Sequence, residues 1–218
     1  LVPKARQLLE IGYEEMLEMA SLGAKMNPRS IELASVFQIP ILVASTFEDT
    51  PGTLIHGGEP TMELRKAVTG IAVDKNVAKI TVRGVVDRPG VAAGLLRPLS
   101  NAGISVDVIV QNTSDDNLTD FTFTVSKSDA RKSEELVRQQ NEVEFHNVSS
   151  GTGLAKLSVV GTGMQNTPGY ASTMFSTLAE ADVNIDMITT SEIRITCIIG
   201  QSDIQRAAQA LHKAFELE

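Results

Sequence analysis

From Lys79 to Val86 apolar and polar residues alternate, with β-branched types on the apolar side, which is the pattern of a half-buried strand. Asp87-Arg-Pro-Gly90 follows with turn chemistry and a proline suited to a first helical turn. Val91, Leu95, Leu96 and Leu99 then recur at helical spacing as far as Ala102-Gly103, and predict a helix from about 90 to 102. Ile104 to Val110 and Phe121 to Val125 read as two strands across the polar stretch Thr113 to Thr119. Ser128-Asp129 opens a second helix to about Gln140, and Val143 to Val148 closes as a strand. The order βαββαβ predicts an antiparallel four-stranded sheet with both helices on one face, in the α/β (α+β) class and ferredoxin-like.

The same pattern then returns. Ala78-Lys-Ile-Thr-Val-Arg-Gly84 is matched by Ala155-Lys-Leu-Ser-Val-Val-Gly161, Pro89-Gly90 by Pro168-Gly169, and Ile104-Ser-Val-Asp107 by Val183-Asn-Ile-Asp186. A repeat of roughly 70–80 residues is too long for a solenoid and suits two copies of one small domain. The second copy predicts a strand at 155–161, a helix at 168–181, strands at 183–190 and 192–199, and a helix from Ser202, where Ser202-Asp-Ile-Gln205 has the capping-box pattern. It lacks a fourth strand after that helix. Ala67 to Val73 is a spare strand ahead of the first copy, so the first unit, 78–150, is expected to be inserted in a discontinuous second unit of 61–77 and 151–218.

Residues 1–60 follow another pattern. Tyr13 to Ala20 and Pro28 to Phe37 read as helices, the second capped by Asn27, and Pro40 to Ser45 as a buried strand. This is α/β material short of a complete domain, and His56-Gly-Gly-Glu-Pro60 is the candidate linker. The opening Leu1-Val-Pro, without Met, predicts a piece of a longer chain.

Composition narrows the partners. A net charge of -8 without clustered Lys and Arg argues against nucleic acid. One cysteine, no apolar run of about 18 residues and no signal-like start predict a cytoplasmic protein with no membrane span. Small amino acids or other protein chains are the better candidates.

The two βαββαβ units, with Asp87-Arg-Pro-Gly90 and Ile104-Ser-Val-Asp-Val-Ile-Val-Gln-Asn112, resemble ACT domains. Tyr13-Glu-Glu-Met-Leu-Glu-Met-Ala-Ser-Leu-Gly-Ala-Lys25, Pro51-Gly-Thr-Leu-Ile55 and Ser191-Glu-Ile-Arg-Ile195 are similar to the aspartate kinase family, and the resemblance covers nearly the whole chain. It implies the C-terminal tail of an amino-acid kinase domain, then tandem ACT domains that bind threonine, lysine or both for feedback inhibition of aspartate phosphorylation in Lys/Thr/Met biosynthesis. ATP and Mg would serve the full-length parent. This chain is expected to use no cofactor and to be inactive as a kinase by itself. Homodimerisation through the ACT units and contact with the catalytic domain are also implied.

The residues support a site on their own terms. Amides at Gly90, Val91 and Ala92, at the start of a helix, suit an α-carboxylate, and Asp87 on the same turn suits an α-ammonium. Alternatively, Asp87 is an ordinary turn residue and Gly90 a backbone requirement. The resemblance implies a threonine-type site of Asp87, Gly90, Val91, Ala92, Gln111, Asn184 and Ile185, against the plainer reading of Asn184 as a turn residue and Gln111 as solvated. It implies a lysine-type site of Asp107, Ser191 and Glu192, where a carboxylate pairs with the ε-ammonium. The second turn, Met164 to Tyr170, has Asn166 in place of Asp87, and is expected to be the weaker or lysine-type contributor. The rival reading of the whole chain is an ACT assembly module that dimerises without sensing.

Catalytic and metal readings find little support. His56, His146 and His212 are scattered without an acid or nucleophile at useful spacing, Cys197 lies in an apolar strand, and neither Gly57-Gly58 nor Gly161-Thr-Gly163 makes a phosphate loop. Glu14, Glu15 and Glu18 read as a solvated helix face.

Overall fold

A computed structural model describes residues 1–58, 67–113 and 117–218. Glu59 and Pro60 of the expected linker, positions 61–66 of the second unit and positions 114–116 of the polar stretch lie outside the described residues. The chain divides into two compact units, one of Asn76–Leu154 and one of Leu1–Lys75 with Ala155–Glu218.

In the Asn76–Leu154 unit the elements are the second part of β4 (Gly70–Val86), α3 (Val91–Asn101), β5 (Ile109–Thr113), β6 (Leu118–Val125), α4 (Ala130–Gln139) and the first part of β7 (Asn147–Val160). The sheet order is β5-β6-β4-β7, with β6 antiparallel to both β4 and β5. Residues of one parity, Ala78, Ile80 and Val82 on β4 and Phe121, Phe123 and Val125 on β6, pack with Leu95 and Leu99 of α3 and Val137 of α4. Both helices therefore cover one face. Each fully buried aliphatic or aromatic side chain there contributes about 1.5–3 kcal/mol.

The strand expected at Ile104–Val110 enters the ladder only at Ile109, opposite Phe123. The cause is Thr124. Its hydroxyl accepts the Val108 N–H at 3.1 Å and its carbonyl accepts the Asp107 N–H at 3.1 Å, so one residue faces two and regular pairing is delayed. The strand expected at Val143–Val148 likewise starts later, at Asn147, although the His146 N–H already reaches Arg83 O at 2.9 Å. It then continues without a break to Val160. The expected strand Ala67–Val73 starts later, at Gly70, and is joined to Lys79–Val86 in the same way, as the 17-residue β4. Charged and small residues between the apolar runs hid both junctions in the sequence.

The other unit holds β1 (Glu10–Gly12), α1 (Tyr13–Ser21), α2 (Pro28–Phe37), β2 (Ile41–Val43) and β3 (Thr53–His56), followed by the remaining parts of β4 and β7 with α5 (Tyr170–Glu180), β8 (Ile185–Thr190), β9 (Arg194–Gly200) and α6 (Ile204–Ala214). Its main sheet runs β4-β7-β9-β8, the order of the first unit. Ala155, Leu157 and Val159 share a core with Ile195, Cys197 and Ile199, covered by Met174 and Leu178 of α5 and Ile204, Ala207 and Leu211 of α6. On the opposite face, Ala72 and Val160 pack with Leu22 and Met19 from the end of α1.

A small sheet of order β1-β3-β2 joins α1 and α2 around Ile11, Tyr13, Ile31 and Ile55. Asn27 caps α2 as expected, accepting the Arg29 N–H at 2.9 Å. β2 is shorter than expected and not buried: it pairs only with β3, at an edge, and Leu42 is 61% exposed. The capping box at Ser202 does not form. A 3₁₀ turn, Gln201–Asp203, precedes α6, and Asp203 pairs with Arg206 at 2.8 Å instead of capping the helix.

Candidate functional site

Each repeat builds the same strand-turn-helix device. Gly90 and Gly169 stand just before α3 and α5 with φ of 97° and 113°, conformations that L side chains resist, and no atom lies within 4 Å of where a Cβ would be. Glycine is required here by the backbone, not by crowding. Gly94 N donates to Gly90 O at 2.9 Å and Thr173 N to Gly169 O at 2.8 Å, which starts each helix; in the first repeat the Val91 N–H is turned back onto Arg88 O at 3.3 Å, and the Ala92 N–H comes next without an intrahelical acceptor.

In the first repeat, Asp87 is fixed by its N–H donating to Asn117 O at 2.9 Å. Its carboxylate lies 3.5 Å from Gln111 Nε2, at the outer limit of a hydrogen bond. Thus Asp87, just after β4 and three residues before Gly90, meets Gln111 of β5, while Val91 is buried and Ala92 half-buried. A carboxylate and a helix N-terminus on one exposed turn, with an amide from the neighbouring strand β5, can answer both charges of a free amino acid.

Asn184 and Ile185 lie at the start of β8 in the other unit, Asn184 exposed and Ile185 half-buried. Asp107 is exposed in the run before β5. Ser191 and Glu192 occupy the exposed link between β8 and β9, where the Ser191 N–H donates to Arg194 O at 2.8 Å. Glu192 Oε2 accepts from Gln165 Nε2 at 3.1 Å, bringing the 191–192 link onto the second repeat's turn. In that turn Asn166 has φ 55°, a left-handed conformation that asparagine tolerates.

The glutamates of α1 depart from expectation. Glu14 is exposed, but Glu15 is buried and Glu18 half-buried, with Glu15 bonded to Thr69 and Thr162 and Glu18 paired with Arg194. Spacing alone carries no sign of this, because the partners lie far away in sequence.

The histidines do not meet. His56 is 3.6 Å from Glu10, His146 follows the first repeat's second helix, and His212 is held toward neutrality by burial in α6. Burial pushes the Cys197 thiol up to about 12, which makes it inert at neutral pH. Among the described residues there is no cluster of potential metal ligands, and no helix is long and apolar enough to cross a membrane.

Comparison with known proteins gives these features a context. The ACT domain family matches residues 80–145 and again residues 157–215. The aspartokinase of Pseudomonas aeruginosa is 45% identical over 222 aligned positions, covering all of this chain and 54% of that protein. This chain thus spans about half the length of the curated relatives it matches. A crystal structure of aspartokinase alpha and beta subunits is 43% identical with a TM-score of 0.65, covering 69% of this chain and 99% of the matched one. The ligand-free regulatory subunit of aspartate kinase from Thermus thermophilus gives 37%, 0.65 and the same two coverages.

Proposed function

The chain belongs to the aspartate kinase family and carries two ACT domains, and from that premise we propose that it is the family's regulatory region, an amino-acid sensor. Threonine is the ligand of the first repeat's turn, and lysine of the site that includes Asp107, Ser191 and Glu192. The observation that carries this reading is the approach of Gln111 Nε2 to the Asp87 carboxylate, three residues ahead of the Gly90 that precedes α3. Asp87 takes the α-ammonium, the amide of Ala92 takes the α-carboxylate together with that of Val91 once it leaves its 3.3 Å bond to Arg88 O, and Gln111 bonds the ligand's remaining polar atoms. Asn184 and Ile185 of a second copy complete the site.

We further propose that residues 1–60 are the end of an amino-acid kinase domain, 78–150 the first ACT domain, and 61–77 with 151–218 the second. The exposed apolar residues Val36, Phe37, Leu42 and Phe47 support the first assignment, since a catalytic domain would cover them. In the full-length kinase, effector binding would favour the less active arrangement, to an extent set by its differential affinity for the two states. ATP and Mg belong to that kinase reaction, and no cofactor is assigned to this chain. The cytoplasm is the compartment in which such a sensor meets its amino acids.

Self-association is part of the proposal. β5 and β8 are the edge strands in the sheet orders of their units, and they expose Ile109 (48%) and Ile188 (44%). Pairing of the first ACT domain of one chain with the second of another would cover them. A ligand held only by the paired form stabilises it by mass action. Sedimentation over a concentration series is therefore expected to show a monomer–dimer balance that threonine or lysine shifts toward dimer. A dimer indifferent to both amino acids would favour the assembly-module reading, and a strict monomer that binds effector at full affinity would rule out the bridged site.

A further inference from the structure

Three hydrogen bonds end on one oxygen of a buried carboxylate. Glu15, in the first turn of α1, is 5% exposed, and its Oε1 accepts from Thr69 Oγ1 at 2.6 Å, from Thr162 N at 2.8 Å and from Thr162 Oγ1 at 2.9 Å. A carboxylate this buried is tolerable only while such donors hold it. Its partner Thr162 begins the 3₁₀ turn Thr162–Met164, which leads directly into Gln165 and Asn166 of the second repeat's turn.

Glu18, nearly one helical turn on, reaches the neighbouring segment. Its Oε2 accepts from Arg194 Nη1 at 2.8 Å, and Arg194 opens β9 directly after the Ser191–Ile193 link. The two gripped segments are also tied together, by Gly161 N to Ile193 O at 2.9 Å and by Gln165 Nε2 to Glu192 Oε2 at 3.1 Å. Two carboxylates on one face of α1 thus hold both stretches that line the turn. Arg194 Nε, moreover, is buried without a hydrogen-bond partner among the described residues, so this arrangement leaves one donor unmet there and another arrangement of the same groups has something to gain.

We infer that Glu15 is a positioning residue that couples the effector turn of the second repeat to α1, so that ligand at the turn is felt in residues 13–21. The inference rests on the proposed sensing function, and it identifies the route by which sensing leaves the ACT fold. A ligand that pulls Gln165 or Glu192 into a new set of bonds must shift Thr162 or Arg194. Either shift breaks a bond on which a buried or half-buried α1 glutamate depends. Because such coupling is reciprocal, removing the α1 contact must also alter effector affinity, by a factor typically of about 5–150.

Hydrogen–deuterium exchange of the chain with saturating lysine, and separately with threonine, tests this alongside calorimetry. In the parent chain at least one of the two ligands is expected to change exchange in residues 13–21 by about 5-fold or more. In Glu15→Ala, which removes the acceptor of all three bonds, the ligand still binds but this response disappears, whereas Thr162→Ser, which keeps both donors, retains it. A parent chain that binds ligand with no response in α1 overturns the coupling and leaves sensing intact. So does a response that persists in full in Glu15→Ala. A parent chain that binds neither amino acid overturns the sensing function and the coupling with it. Should Glu15→Ala fail to fold, Thr162→Val decides: it removes the hydroxyl bond and keeps the backbone one, so a smaller response than the parent's supports the coupling and an undiminished one overturns it.

Discussion

Asp87→Ala is expected to weaken threonine binding by about 1.5–3 kcal/mol, the worth of a hydrogen bond to a charged group. That is roughly 10–150-fold in the dissociation constant. Asp87 is exposed, and among the described residues its side chain has one long contact, to Gln111, so the substitution takes little from the protein itself. Its backbone N–H, which holds Asn117 O, remains. The loss therefore falls on the ligand, whose ammonium goes without its counter-charge. Calorimetric titration beside a thermal melt separates the two effects: weaker binding at an unchanged midpoint is expected, and unchanged affinity would return Asp87 to the role of a turn residue.

Gly161→Ala is expected to damage the fold rather than the ligand. A Cβ at Gly161 would stand 2.2 Å from Ala67 O, 2.7 Å from Val68 Cα and 2.9 Å from Thr69 N. All three are backbone atoms, which cannot swing aside as a side chain does. Gly161 also donates to Ile193 O, and Thr69 donates to Val160 O, so moving either strand apart loosens ladder bonds. Overpacking of this kind costs about 1–3 kcal/mol or more. At roughly 2–4 °C per kcal/mol for a chain of this size, the melting midpoint should fall by roughly 2–12 °C. Gly90→Ala is the informative contrast: it meets nothing within 4 Å, so only the left-handed φ of 97° opposes it, at about 1–2 kcal/mol. A Gly161→Ala chain that melts with the parent would show that the approach of 67–69 to Gly161 is not as close as described.

How much of this was legible beforehand follows from the range of each interaction. The helices at 91–101 and 170–180 and the 121–125 part of β6 are written in local periodicity, because each buries one face and the pattern records that face, whereas the start of β6 at Leu118 fell in the stretch read as polar. The repeat was legible for the same reason, since Leu95 and Leu99 serve one core as Met174 and Leu178 serve the other. Events decided by a side chain competing for backbone were not legible. Thr124 takes the Val108 N–H and delays β5, and Ser202 gives up its cap to a 3₁₀ turn. Long-range polar contacts were invisible altogether. Glu14, Glu15 and Glu18 look alike in sequence, and only the fold sets Thr69, Thr162 and Arg194 against two of them. At the candidate site, Asp87, Gly90 and Gln111 were found through motif and resemblance, whereas the Gln165–Glu192 bond required the structure.

The central claim is that this chain binds a free amino acid on its ACT domains. Isothermal titration of the purified chain with threonine and with lysine, using an amino acid such as glycine as control, tests it most directly. Saturable heat with at least one of the two, absent with glycine, is the expected result; no heat above dilution with either would contradict the sensing function and leave an assembly module in its place.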